Sequence, residues 1–199
     1  MTLDRLRPIA NLFLDPFVGT AKRIGLTPDV VSLVAFTVAI AAGISFFQAR
    51  PAWYLAGAIF VVMNGWLDLL DGALAREMNI DSRAGDLLDH VLDRYADLVI
   101  VAGLAGGIGR YGLGFAAVTG VLLTSYMGTQ IEAVGLEREY GGLVGRADRL
   151  AGIGIVAVVV TVVPEVAGVS LVAILLGALA VVGHVTALQR FYGAWTALR

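Results

Sequence analysis

The chain has 199 residues, 58% of them hydrophobic and 15% charged, with a mean hydropathy of +0.84. Soluble domains carry roughly a quarter charged residues, so an ordinary soluble architecture is excluded. A net charge of −2 offers no footprint for nucleic acid, and the absence of cysteine excludes disulfides, iron–sulfur clusters and thiolate zinc sites.

Repeated apolar runs near the length that crosses a bilayer, about 20 residues, indicate an all-α integral membrane protein. Residues 3–24 read as an amphipathic helix at the interface, with Leu6, Leu12, Phe13, Phe17 and Ile24 among Arg5, Arg7, Lys22 and Arg23. The opening "MTLDRLRPIANLFLDPF" is no signal peptide, because Asp15 and Pro16 break a short apolar stretch. Pro28 is placed for a helix start. Six spans are predicted at 29–49, 52–75, 84–109, 112–135, 147–163 and 168–192. They form one membrane domain over 1–199, with the six-helix bundle at 29–192 and no internal repeat. The Gly-rich "AGLAGGIG" suits close helix packing, and Trp53, Tyr54 and Tyr111 read as interfacial anchors.

Basic residues set the orientation. Arg5, Arg7, Lys22, Arg23, Arg76, Arg83, Arg138, Arg146, Arg149, Arg190 and Arg199 share one side of a six-span chain. Arg50 and Arg110 lie on the other, and Arg94 falls within the third span. That bias places both termini in the cytoplasm of a multi-pass cell-membrane protein.

"DLLDGALAREMNIDSRAGDLLDHVLD", residues 68–93, interrupts this apolar pattern. Asp68 and Asp71 share a face of the second span, and Asp89 and Asp93 share a face of the third, with Asp86 and Asp97 on the same stripe. Ionised carboxylates gathered in a poorly solvated place need a counter-charge. Arg76, Arg83 and Arg94 are the only basic residues in or between these two helices. One or two divalent ions would close the deficit, and all-oxygen ligands favour Mg²⁺, Mn²⁺ or Ca²⁺ over zinc. Asp86 and Asp97 read equally well as partners of arginine or of water. Small Gly72, Ala75 and Gly85 let a ligand approach the helix backbones. Arg76 offers a fork that suits phosphate, and Ser82 serves as a helix cap or a ligand contact.

These residues meet every spacing of D-x2-D-G-x2-A-R-x8-G-x3-D-x3-D, eight fixed residues in a 26-residue window. The stretch resembles the signature of the CDP-alcohol phosphotransferase family. Within that family "LTPDVVS", "GLVGRADRL" and "LQRFYGAW" are most similar to the phosphatidylinositol-phosphate synthase type. The resemblance implies a divalent-metal enzyme, a homodimer, that moves a phosphatidyl-type group from a CDP-linked lipid to a small polar alcohol and releases CMP. It implies two Mg²⁺ or Mn²⁺ ions on Asp68, Asp71, Asp89 and Asp93, with Asp93 as the base for the acceptor hydroxyl. It also implies nucleotide contacts at Asp29, Val30, Val31, Ser32, Gly72, Ala75, Arg76, Ser82 and Gly85, at the cytoplasmic face.

For the acceptor, Arg146, Arg149 and Arg190 would suit a phosphorylated polyol such as inositol phosphate or glycerol phosphate. Inositol-phosphate-using relatives typically read S-Y-x-K-A-R-A-E where this chain reads "SYMGTQIE", with Gly128 and Gln130 in place of basic residues. An uncharged acceptor such as inositol or serine therefore stays open at this point. So does a different class of protein, a cation- or proton-coupled transporter, since intramembrane acids also mark ion pathways.

Overall fold

The computed structural model describes residues 7–80, 82–136 and 144–199. Arg5, Leu6 and Arg138 lie outside the described residues, as do the side chains of Arg7, Leu12 and Phe13. The order is α1 (Arg7–Arg23), α2 (Pro28–Phe47), α3 (Pro51–Glu77), α4 (Arg83–Gly107), α5 (Tyr111–Ala133), α6 (Arg146–Val160), β1 (Glu165–Val166), β2 (Val169–Ser170) and α7 (Leu171–Ala197).

The helix starts follow local chemistry. Pro28 opens α2 behind an N-cap Thr27, whose Oγ1 accepts from the Val30 amide. Ser82 caps α4, accepting from the Gly85 amide at 3.1 Å. The break expected near 164–168 is an antiparallel β-hairpin, turning through Ala167 and Gly168 at φ +52° and +76°. Positive φ at both central residues matches the twist of a two-residue hairpin. The last helix accordingly begins at Leu171, later than expected, and runs on to Ala197.

α2 lies against both α3 and α4, α5 against α7, and α6 against α3. Alanines and other small residues let these helices close on a core of Ala39, Ala42, Phe46, Val61, Ile100 and Leu104. α1 packs on α3 through Leu14, Val18 and Ala21, against Leu70 and Leu74. Phe17 meets Trp66 edge-on at 5.3 Å, and Lys22 pairs with Glu77 at 3.2 Å. The first helix is thus docked on the bundle as well as amphipathic. Tyr54 departs from expectation: it is 5% exposed and packs on Phe46, so it is a core residue and no interfacial anchor. Trp53 and Tyr111 are exposed.

Large apolar side chains cover much of the outside, among them Val162 at 82% and Phe115 at 72% exposure. Such a surface suits lipid as its solvent. α2, α3, α5 and α7 are each long and apolar enough to cross a membrane. α6 has 15 residues, about 22 Å of helix, and α4 carries the acidic stripe from Asp86 to Asp97.

The Gly-rich end of α4 does pack closely. A Cβ on Gly103 would stand 2.2 Å from the Gly43 carbonyl oxygen, and one on Gly107 2.4 Å from that of Phe46. Both neighbours are backbone and have no rotamer to yield. Gly103→Val is therefore expected to cost about 1–3 kcal/mol and to lower the thermal midpoint of the detergent-solubilised protein. Gly152→Ala, where an added Cβ meets nothing within 4 Å, should leave that midpoint unchanged or raised.

Candidate functional site

The acidic stripes of α3 and α4 meet at one end of the bundle. Carboxylate oxygens of Asp68, Asp71 and Asp89 all lie within 4.8 Å of one another. A hard cation with oxygen ligands at about 2.0–2.6 Å separates opposite ligand atoms by about 4–5 Å. The cluster therefore fits a divalent ion in both spacing and donor type. Asp71 is buried and is oriented by Ser32 of α2, whose hydroxyl donates to Asp71 Oδ2 at 2.7 Å. That contact fastens the "PDVVS" turn to the acidic cluster.

Asp93 stands beside the three and is held by guanidinium groups. Arg146 Nη2 lies 2.8 Å from Asp93 Oδ1, and Arg94 Nη2 lies 3.4 Å from Asp93 Oδ2. Arg146 also bonds Asp68 through Nη1, and its Nε lies 3.7 Å from Asp97 Oδ1. Arg149 donates to the other oxygen of Asp97 at 2.9 Å, with both side chains buried. Asp97 is thus a partner of arginine, and Asp86 is exposed in the first turn of α4. Arg94 belongs to α4 itself, whereas Arg146 reaches the cluster from α6, neither in nor between the two acidic helices.

The remaining residues singled out in the sequence fall into groups. Asp29 and Ser82 both flank Gly85: a Cβ there would meet Asp29 Oδ1 at 3.1 Å and the Ser82 side chain at 3.5 Å. Gly72 is open, with only the Arg76 guanidinium within 4 Å of an added Cβ. Arg76 is exposed and Ala75 half-buried on the last turns of α3. Val30 is exposed, whereas Val31 is buried against the α1–α3 contact and belongs to the core. Arg190 is buried in α7 and donates to the Thr124 carbonyl of α5 at 2.7 Å. Arg146 and Arg149 therefore converge through Asp97, while Arg190 bonds the backbone of α5. His90 lies 3.7 Å from Asp89, and His184 bonds the Ala180 carbonyl while packing on Gly120.

Two features escaped the sequence reading. One is the entry of Arg146 into the carboxylate cluster from α6, outside the two helices that carry the acids. The other is Asn64, 1% exposed, whose Nδ2 donates to the Ala35 carbonyl at 3.0 Å. A polar residue inside the apolar "AIFVVMNGW", four before Asp68 and hence on its helix face, was the available signal.

Comparison with known proteins agrees with this geometry. The family model described as CDP-alcohol phosphatidyltransferase matches residues 25–189. Archaetidylinositol phosphate synthase of Methanothermobacter thermautotrophicus is 31% identical over 202 aligned residues, covering 99% of this chain and 96% of that protein. The crystal structure of Mycobacterium tuberculosis phosphatidylinositol phosphate synthase with CDP-DAG bound superposes with a TM-score of 0.77 at 29% identity, covering 92% of this chain and 94% of that one. A structure of the same enzyme with manganese and citrate gives 0.78 at 29% identity, covering 92% and 89%. Membership decides between the transferase and transport readings. The chain belongs to the CDP-alcohol phosphatidyltransferase family, and is a multi-pass membrane transferase that moves a phosphatidyl-type group from a CDP-linked lipid to an alcohol.

Proposed function

We propose that the acceptor is inositol phosphate and that transfer takes place at Asp68, Asp71, Asp89 and Asp93 with two divalent ions, Mg²⁺ or Mn²⁺. The observation that carries this reading is Arg146. Its mostly buried guanidinium sits among the carboxylates, yet neither Nε nor Nη2 makes a hydrogen bond of good geometry among the described residues. Both atoms stand in ion pairs, with Asp97 and Asp93. A guanidinium whose pairs are not aligned hydrogen bonds, beside the reacting centre, suits a phosphate carried by the acceptor. Arg149 stands behind Arg146 on Asp97. These arginines of α6 supply the positive charge that Gly128 and Gln130 withhold on α5. The relatives' names, archaetidylinositol phosphate synthase and phosphatidylinositol phosphate synthase, support the same acceptor.

The residues divide the work. Asp29, Val30, Ser32, Gly72, Ala75, Arg76, Ser82 and Gly85 form the nucleotide end, with Val31 packed in the core behind them: Gly72 and Gly85 give backbone clearance, and exposed Arg76 offers its fork to the diphosphate. Asp68, Asp71 and Asp89 hold the metal, with Ser32 fixing Asp71. When bound, the divalent pair neutralises the diphosphate and stabilises the CMP leaving group. Asp93 accepts the proton of the acceptor hydroxyl as that oxygen attacks the lipid-side phosphorus. Arg94 and Arg146 hold both of its oxygens in place. Arg190 braces α5 against α7 near the acceptor end.

The chain is further read as a single membrane domain with six crossings, α2 to α7, and the site at the cytoplasmic face of the cell membrane. α4 and α6 lack an apolar surface all round because they lie against α2 and α3, so their polar faces meet protein instead of lipid. A homodimer is the assembly proposed.

The test is CMP release by the purified protein with Mn²⁺ and a CDP-linked lipid, ester or ether, across inositol phosphate, glycerol phosphate, inositol, serine and water. Release with inositol phosphate alone is expected; release with inositol or serine alone would overturn the acceptor assignment. Asp93→Asn is expected to lower kcat by about 10²–10⁴-fold with CDP-lipid affinity nearly unchanged, and turnover at the wild-type rate would remove Asp93 from the base role. Arg146→Gln combined with Arg149→Gln should raise the acceptor KM about ten-fold or more while moving the CDP-lipid KM far less. The reverse pattern would assign the pair to the nucleotide.

A further inference from the structure

We propose that Asn64 is a positioning residue of the metal centre, its Oδ1 accepting a hydrogen bond from a water carried by the divalent ion. This rests on the reading of Asp68, Asp71 and Asp89 as that centre. Asn64 lies on α3 one helical turn from Asp68, on the side away from the cytoplasmic end of the helix. Its Nδ2 donates to the Ala35 carbonyl at 3.0 Å. A carbonyl only accepts, so this contact settles which end of the amide faces α2 and turns Oδ1 away from it.

That oxygen is buried and has no hydrogen-bond partner among the described residues. Asn64 lines a small cavity together with Ser32, Asp68, Asp89 and Asp93. None of these satisfies it. Ionised carboxylates only accept, and the Ser32 hydroxyl is committed to Asp71 Oδ2 at 2.7 Å. The missing hydrogen has to arrive with what binds there. The diphosphate of a CDP-lipid presents acceptors only along its charged oxygens. Water on a divalent ion is the donor that fits, because Mg²⁺-type ions keep several waters and polarise their hydrogens outward. A neutral oxygen at the floor of the cluster orients such a water without adding a further negative charge to the carboxylates. Outer-shell partners of this kind are typically worth ten- to hundred-fold in metal affinity.

The measurement is Mn²⁺ binding by the full chain in lipid nanodiscs, with no nucleotide or acceptor, read from the electron paramagnetic resonance signal of free Mn²⁺. Asn64→Leu, similar in volume and without a polar atom, should raise the Mn²⁺ Kd about ten-fold or more. Asn64→Asp gives up the donor to Ala35 but keeps a side-chain oxygen in the place of Oδ1, so it should bind Mn²⁺ at least as tightly as wild type. A role confined to stitching α3 to α2 predicts the opposite set: both variants melt earlier and both bind Mn²⁺ like wild type. That set overturns the proposal, as does weakened binding by Asn64→Asp should the leucine variant not fold. Asp71→Ala separates this inference from the reading beneath it. If Asp71→Ala loses Mn²⁺ and Asn64→Leu does not, only the role of Asn64 falls. If Asp71→Ala also binds like wild type, the metal centre itself has been misplaced.

Discussion

Mutual repulsion among Asp68, Asp71, Asp89 and Asp93 is the constraint to which the rest of this bundle answers. Carboxylates brought this close in a poorly solvated place are unfavourable without positive charge beside them. Two sources meet that need. Arg146 enters from α6 to bond Asp68 and stand against Asp93. Carboxylate oxygens of Asp68, Asp71 and Asp89 are also spaced for a divalent ion. The position of α6 against α3 therefore matters to the cluster, since it delivers the arginine.

The same constraint explains the small residues away from the site. Asp71 can reach Ser32, and Asp89 can reach Asp68, only if α2, α3 and α4 run close together. Gly43 against Gly103 brings α2 and α4 to backbone contact, and Gly57 makes room on α3 for the Phe46 ring of α2. In a membrane, where apolar surface gains little by leaving lipid, such close van der Waals contact is what holds helices together. The distant glycines and the clustered aspartates are thus two ends of one arrangement: packing at one end of α4 sets the approach of carboxylates at the other.

Much of this was legible in the amino-acid order because local chemistry decides it. Helix starts at Pro28 and Ser82, the apolar runs, and the i,i+3 and i,i+4 acidic pairs all depend on neighbours a few residues apart. What escaped depends on tertiary contact. Arg146 is 78 residues from Asp68 in the chain, and no spacing rule reaches that far. Tyr54 has the composition of an interfacial anchor, yet the fold places it under Phe46. The hairpin before the last helix is not legible in the sequence, since two residues per strand are too few for alternation to register. Asn64 was visible only as one polar letter in an apolar run. Its meaning appears once Ala35 and the carboxylate cavity are seen on either side of it.

The central claim, that Asp68, Asp71 and Asp89 form the metal centre, is tested most directly by crystals of this protein grown with Mn²⁺ and measured at the manganese absorption edge. Anomalous density within about 2.0–2.3 Å of carboxylate oxygens of all three aspartates, with Asn64 beyond direct contact, is the result the account predicts. Manganese bound elsewhere, with these carboxylates closed on Arg146 alone in an enzyme that still releases CMP, would contradict it.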